Sequence, residues 1–162
     1  TLAWHVDYWD YLGWKDSFSL KSATSRQRAY NASIGEGVYT PQFVVNGARA
    51  SSSPAVISGL SGLPVKLNVS KSGGKLKVEA GSGSGSAKLY LISYTDKASV
   101  AIQRGENAGR KIVYRHAVSG ISSIGTWTGN AMSLDIARRG GDCAVILQRP
   151  GTGAIIGAAT CG

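Results

Sequence analysis

The chain has few cysteines, few acidic residues and no long hydrophobic run. Its two cysteines, Cys143 and Cys161, are 18 positions apart (161 − 143), so the sequence has no Cys-x-x-Cys pair for dithiol chemistry. No stretch approaches the roughly 18 unbroken apolar residues of a membrane helix, and no signal-peptide pattern opens the chain. A chain of 162 residues with 43% apolar and 17% charged residues is therefore expected to be globular, in one ordinary domain or two small ones, and to begin after any processing.

Acidic residues are half as frequent as basic ones, and the imbalance is uneven. Nine Asp or Glu against 18 Lys or Arg give a net charge of +9. Residues 1–64 carry five basic and four acidic residues, whereas residues 65–162 carry thirteen and five. The basic residues of the second half stand singly between apolar ones, which is typical of the solvent face of an antiparallel sheet. This pattern does not predict specific nucleic-acid binding, and loose attraction to acidic polymers or anionic surfaces fits it better.

Residues 4–16 concentrate the unusual side chains. They hold three of the four tryptophans, a cluster of aspartates and one of the two histidines. Alternating apolar residues predict that residues 1–6 end a buried strand, followed by a loop at 7–16, which we call the opening loop. In α/β sheets ligands bind at this edge. Alternatively, the opening loop folds over the sheet edge as a packed lid.

Two helices are predicted in the first half. Residues 22–34 have apolar positions at helical spacing, with Ser22 at the head as a cap and Gly35 just beyond the end. Ser53 followed by Pro54 predicts the start of a second, short helix that stops near Gly59.

A strand is predicted between these helices. Pro41 lacks an N–H group and must open the strand, and Thr40 before it is held extended. The β-branched run that follows ends in Asn46-Gly47, which predicts a two-residue hairpin loop.

Several long motifs resemble one family. The order strand, loop, helix, strand beginning at a proline, hairpin strand and helix is that of the back half of a thioredoxin-like domain. The motifs that carry the resemblance are HVDYWDYLGWKD at 5–16, RQRAY at 26–30, VYTPQ at 38–42, VVNG at 44–47 and RGENAGR at 104–110. With them the chain resembles, over most of residues 2–115, secreted bacterial thioredoxin-like proteins of the domain-of-unknown-function 1223 family.

The resemblance implies a site that this chain holds only in part. Members of the family resemble thioredoxin in having a Cys-x-x-Cys pair after their first strand, upstream of Thr1. The abrupt start of the sequence suggests a piece of something longer. The expected partner is therefore a missing N-terminal segment or a second chain that carries the dithiol, and the expected substrate is a protein or peptide. By similarity to thioredoxins, Pro41 would be a cis-proline and the Thr40 backbone would face a substrate peptide.

The opening loop supplies further candidates. Because the strand that ends at Val6 would be parallel to the dithiol strand, His5 or Asp7 could tune a thiol or shuttle a proton. Alternatively, His5 is a core histidine whose ring is satisfied by a backbone carbonyl. A metal site built from His5, Asp7 and Asp10 has suitable ligand types but a weak spacing signal, so no metal and no cofactor are predicted. The candidate binding residues of this stretch are Trp4, Tyr8, Trp9, Asp10 and Trp14.

The pattern of the second half predicts strands. A composition break at 58–64 predicts a domain boundary, which divides the chain into 1–62 and 63–162. Seven or eight short strands at such spacing favour an antiparallel sandwich, and the Gly-Ser repeat at 81–86 reads as a flexible hairpin loop. The predicted strands are 65–70, 75–80, 87–95, 99–103, 111–118, 132–136, 143–148 and 154–159.

The loop at 104–110 has two interpretations. In the first, Glu106 forms a local ion pair with Arg104 and Arg110, while Asn107 and the glycines make a wide turn. In the second, Arg104 or Arg110 reaches across to the first half or holds an anionic ligand.

The two cysteines flank a predicted hairpin. Counting outward from Thr152 places Cys143 and Cys161 nine positions away on either side, so a cross-strand disulfide is reasonable and would indicate an oxidising compartment. Two free thiols are the alternative.

Together these observations predict a truncated thioredoxin-like α/β segment followed by an antiparallel β-sandwich-like domain, from a periplasmic or secreted bacterial protein. The predicted role is thiol–disulfide redox chemistry or peptide binding, with the dithiol outside this chain. The alternative is a non-enzymatic binding or structural subunit of a larger assembly.

Overall fold

The computed structural model describes residues 1–58 and 62–162, which are mostly antiparallel sheet with one α-helix. A short 3-10 helix spans Pro54–Ile57. The other elements are α1 (Lys21–Ile34), β1 (Phe43–Val45), β2 (Arg49–Ser51), β3 (Leu67–Ser72), β4 (Lys75–Ala80), β5 (Ala87–Ala101), β6 (Lys111–Trp127), β7 (Met132–Ala137), β8 (Asp142–Gln148) and β9 (Ile155–Thr160).

Strands β3 to β9 form two sheets packed around one core. One sheet has the order β3-β4-β7 and the other β6-β5-β8-β9, and all pairings are antiparallel. Strand β4 alternates exposed and buried side chains, as expected for a strand with one wet face. Strand β8 is buried at nearly every position, which requires cover on both faces. The core includes Leu76, Val78, Leu89, Trp127, Val145 and Leu147, each at most 1% exposed.

The start of the chain covers the other face of the four-stranded sheet. Leu2, Trp4 and Leu20 pack against a second cluster of Ile92, Val118 and Ile146. Residues 1–6 do not form the predicted buried strand. Only Ala3 pairs, in a single parallel bridge to Ala117 on β6, and the alternating apolar residues are half-buried. One bridge at a sheet edge satisfies too few backbone groups to extend a strand.

Helix α1 starts differently from the prediction and ends as predicted. Leu20 precedes the first turn with no side-chain cap, so the proposed cap Ser22 lies inside the helix. The Leu20 N–H donates to the His5 carbonyl at 3.0 Å, which fixes the entry of the helix by a tertiary contact. At the other end Gly35 is left-handed with φ +82°, and its N–H donates to Asn31 O. Ser53 caps the 3-10 helix by accepting from the Ala55 N–H, whereas Gly59 lies outside the described residues.

The hairpin of β1 and β2 has a wider turn than predicted. Because Val45 pairs with Arg49, three residues form the turn rather than two. Asn46 and Gly47 both have positive φ, and the Asn46 carbonyl accepts a 2.7 Å hydrogen bond from the Ile155 N–H. The turn is therefore shaped by docking on the β8–β9 hairpin. The Thr40–Pro41 peptide bond is cis, and strand β1 begins two residues after it, at Phe43.

Strands β5 and β6 form one long hairpin where the sequence predicted shorter strands. The separate strands at 87–95 and 99–103 are one strand, and β6 continues past 118 to Trp127. Asp96 and Lys97, which lie between the two predicted strands, are in the exposed outer part of the hairpin, where polar side chains do not end a strand. Bulges after Leu89 and Ser93 of β5 shift the register.

The Gly-Ser segment at 81–86 is not a hairpin loop. It connects β4 to β5, which belong to different sheets. Turn composition marks a change of direction but not which strand the chain joins next. The segment is anchored by Trp127 Nε1, which donates to Gly81 O at 3.0 Å, and by Arg149, which donates to Ser84 O and Ser86 O.

The predicted cross-strand disulfide is confirmed. Cys143 and Cys161 are bonded, with Cα atoms 5.3 Å apart, and the Cys161 N–H donates to Cys143 O. Ala144 pairs with Thr160 in the register counted from Thr152, despite an irregularity nearer the turn. Among the described residues, no helix is long and apolar enough to cross a membrane.

Candidate functional site

A cleft of about 360 Å³ lies between the opening loop and the β5–β6 hairpin. One wall comes from the start of the chain and the other from the ends of β5 and β6. The first wall includes Trp4, His5, Trp9, Asp10, Trp14 and Asp16, and the second includes Ile102, Asn107, Ile112 and Tyr114. The volume suits a small ligand or one side chain of a peptide.

A histidine–aspartate pair lies in this cleft. His5 Nδ1 and Asp16 Oδ2 are 2.5 Å apart, and the two side chains are 13% and 24% exposed. Burial alone would raise the pKa of the Asp16 carboxyl. The hydrogen bond from His5, the hydrogen bond from the Phe18 N–H and the charge of His5 outweigh burial, so this pKa lies below its ordinary value. Asp16 is therefore a carboxylate at neutral pH. The ring of His5 is held by this carboxylate, not by a backbone carbonyl.

Aromatic rings surround the pair. Tyr114 of β6 meets His5 edge-on with ring centroids 4.6 Å apart, and Phe18 lies 5.8 Å from both. Burial, followed by the nearby negative charge of Asp16, raises the pKa of the Tyr114 hydroxyl. The phenol is thus neutral, and the imidazole has a fixed orientation.

The other two aspartates hold the opening loop in shape. Asp10 accepts from the Asp16 N–H at 3.2 Å and from Ser19 Oγ at 2.6 Å. Asp7 accepts from Thr24 Oγ1 on α1, and its own N–H donates to the same oxygen. These carboxylates use their hydrogen bonds internally, so their effect on a ligand would be through charge.

The opening loop also contacts the segment before β1. Trp9 Nε1 donates to Thr40 Oγ1 at 3.1 Å. Tyr8 donates its hydroxyl to Gln27, whose amide in turn donates to Tyr39 O at 2.8 Å. Trp9 is 49% exposed, and Thr40 and Pro41 are also exposed, so this edge is open to a partner.

The loop at 104–110 packs on the opening loop. A Cβ added to Gly105, where φ is +79°, would lie 3.3 Å from both the Leu12 carbonyl oxygen and Trp14 Cβ. Asn107 reaches the cleft. Arg104, Glu106 and Arg110 are exposed, and among the described residues Glu106 forms no ion pair with either arginine. The two loops are therefore joined by close backbone packing rather than by the predicted charges.

Sequence reasoning missed several residues of the site and its support. Asp16 ends the stretch at 4–16, but nothing in the sequence distinguishes it from Asp7 and Asp10 as the partner of His5. Tyr114 lies in a predicted strand, where an aromatic residue has no distinguishing pattern. A network behind the cleft also went unseen: Arg26 stacks over Trp4 and Tyr30 and donates to Gln148 Oε1 at 2.6 Å. Gln148, which is 2% exposed, also donates to Tyr30 OH.

The aspartates considered for a metal site do not converge. His5, Asp7 and Asp10 bond to Asp16, Thr24 and Ser19, and no group of three metal-ligating side chains occurs among the described residues.

Comparisons with known proteins identify a family without an assigned activity. No curated protein matches the chain. The X-ray structure of a protein from Agrobacterium tumefaciens, determined by a structural genomics consortium, is similar with a TM-score of 0.83 and 30% identity. The match covers 98% of this chain and 78% of that one. The family described as "Protein of unknown function (DUF1223)" matches residues 1–148. The chain therefore belongs to the DUF1223 family.

Proposed function

We propose that the chain forms one wall of a secreted or periplasmic thioredoxin-like site that binds a protein or peptide, with the redox dithiol supplied from outside these residues. The observation that carries the proposal is the hydrogen bond from Trp9 to Thr40. It joins an exposed aromatic side chain to an exposed segment that bends at the cis bond before Pro41. Aromatic anchors next to accessible backbone are a common means of peptide recognition. The proposed division is a first part at 1–62 and a β-domain at 63–162.

A second candidate is a non-enzymatic binding or structural subunit of a larger assembly. The disulfide favours this candidate, because both cysteines of the chain are bonded to each other at the β8–β9 hairpin and neither is a free thiol. A bonded pair 18 residues apart serves to hold the C-terminal strand.

An experiment on protein isolated from its native source distinguishes the two candidates. Thiols are alkylated at harvest and the intact mass is measured. A further segment or a co-purifying chain with a reactive dithiol supports the redox role. If neither a partner chain nor an extra segment in the native material carries such a dithiol, the redox role is contradicted. The non-enzymatic binding role then remains.

Peptide binding is tested separately by fluorescence titration with S-carboxymethylated insulin B chain, an extended polypeptide without free thiols. Thr40→Val keeps the shape of the side chain but removes the acceptor that orients Trp9. We therefore expect peptide binding to weaken by up to about fivefold, which corresponds to the roughly 1 kcal/mol of that one hydrogen bond. Thr128→Val, at an exposed threonine between β6 and β7, is the matched control and should bind as the wild type does. Equal affinities for all three proteins would contradict this placement of the peptide.

A further inference from the structure

The charged residues that line the cleft differ in sign from most of those in the protein. The chain carries 18 Lys or Arg residues, yet none of them is among the residues that line the cleft in the described part of the chain. Two carboxylates, those of Asp10 and Asp16, are among the lining residues. Their charges favour cationic ligands over anionic ones in the cleft.

The walls of the cleft are aromatic. Trp9, Trp14 and Tyr114 line it, and Trp9 is half-exposed. Aromatic faces attract ammonium and guanidinium groups through the ring quadrupole, most strongly where water is partly excluded. The same chain already shows this chemistry at Trp4, one of the lining residues, because the Arg26 guanidinium lies 5.0 Å from the centre of its ring.

From these observations we propose that the cleft is a binding site for an organic cation, a quaternary or primary ammonium group or a guanidinium. The aromatic rings contact the alkyl body of the ligand, and the carboxylates of Asp10 and Asp16 supply the negative field. The cation can come from a free amine or from a lysine or arginine side chain of a polypeptide. This site shares Trp9 with the proposed peptide-binding edge, but it uses neither Thr40 nor a dithiol.

The test compares ligands of equal shape and different charge by tryptophan fluorescence, at low ionic strength. Choline is paired with its uncharged isostere 3,3-dimethyl-1-butanol, and Nα-acetyl-lysine methylamide with the methylamide of N-acetyl-2-aminoheptanoic acid, whose side chain has a methyl group in place of the ammonium group. We expect saturable binding of the cations and at least about fivefold weaker binding of the neutral partners, from ring attraction and charge together. Tighter binding of the lysine derivative than of choline identifies a polypeptide side chain as the ligand, and the reverse order identifies a free amine.

A pair of variants tests the location. Asp10→Asn keeps the size of the side chain and removes one charge, so cation affinity should fall by about threefold or more, in keeping with the energy of one nearby charge at a partly exposed site. Asp135→Asn removes one exposed charge from β7 and should leave affinity unchanged. Near-ultraviolet circular dichroism checks that both variants keep the fold. Equal binding of charged and neutral isosteres, the same loss in both variants, or no saturable binding of either cation by the wild type overturns the proposal.

Discussion

Replacing Asp16 by Asn tests the histidine–aspartate pair in the cleft. The substitution removes the negative charge and keeps the size of the side chain. Two hydrogen bonds are affected, the 2.5 Å contact with His5 and the 2.9 Å bond from the Phe18 N–H. A hydrogen bond to a charged group contributes about 1.5–3 kcal/mol when it is shielded, and an exposed ion pair about 0–1 kcal/mol. With side chains 13% and 24% exposed, the pair lies between these limits.

We therefore expect Asp16→Asn to lower the free energy of unfolding by about 1–2 kcal/mol at pH 5. The size of the loss should depend on pH. Because the pKa of Asp16 is lowered in the folded protein, the unfolded chain binds the proton more tightly. The contribution of Asp16 is therefore fully present above its ordinary pKa of 3.8 and is lost as the pH falls through the folded value. Urea unfolding at a series of pH values from 5 downward measures this change.

The chain offers a matched control in its second histidine–aspartate pair. His116 Nε2 lies 3.0 Å from Asp96 Oδ1, but these side chains are 39% and 54% exposed. Asp96→Asn also removes the exposed ion pair with Arg115, but exposed pairs contribute little, so it should cost no more than about 0.5 kcal/mol. The reasoning fails if both variants lose the same free energy, or if the difference between wild type and Asp16→Asn does not shrink in acid.

Three further predictions concern contacts that hold the fold together. Gly47→Ala should destabilise the protein by about 1–3 kcal/mol more than Gly35→Ala, as measured by thermal unfolding. Both glycines have positive φ, but a Cβ at Gly47 would clash with the backbone of the β8–β9 turn. A Cβ at Gly35 meets nothing among the described residues. Equal losses would refute the docking of the two hairpins. Replacing Cys143 and Cys161 together by Ala should cost about 3 kcal/mol for an 18-residue separation, and reduction of the wild type should give a similar loss in urea unfolding. Arg26→Met keeps much of the packing but leaves the buried amide oxygen of Gln148 without its donor. The substitution should therefore lower the free energy of unfolding by about 1–3 kcal/mol. No loss would show that water replaces the guanidinium.

Local patterns predicted much of the fold, because a few neighbouring residues decide them. The proline before β1, the glycine after α1 and the Ser-Pro start of the 3-10 helix each act through their own backbone geometry or a hydrogen bond within one turn. The cysteine register followed for the same reason, since a hairpin pairs residues symmetrically about its turn. Most of the strands of the second half were found from alternation and turn residues alone.

Tertiary partners could not be read from the sequence in the same way. The start of α1 is set by the carbonyl of His5 rather than by a capping serine, and the turn at Asn46 is set by Ile155, more than a hundred positions away. Arg26 and Gln148 are 122 positions apart. The local sequence around each of these residues does not predict such contacts, because each residue has a side chain that is common at its position in a helix or strand.

The opening loop shows why residue types alone did not identify the chemistry. Its three aspartates resemble a metal or acid–base cluster in sequence, but Asp7 holds α1 and Asp10 holds the loop itself. Only Asp16 orients an imidazole. The hydrogen bonds of these aspartates stabilise the fold, but the charges of Asp10 and Asp16 remain at the cleft. Among the described residues, no Lys or Arg lines this cleft. A loop held in shape by carboxylates thus places two negative charges in a cleft of a protein of net charge +9, and those two charges together favour cationic over anionic ligands there.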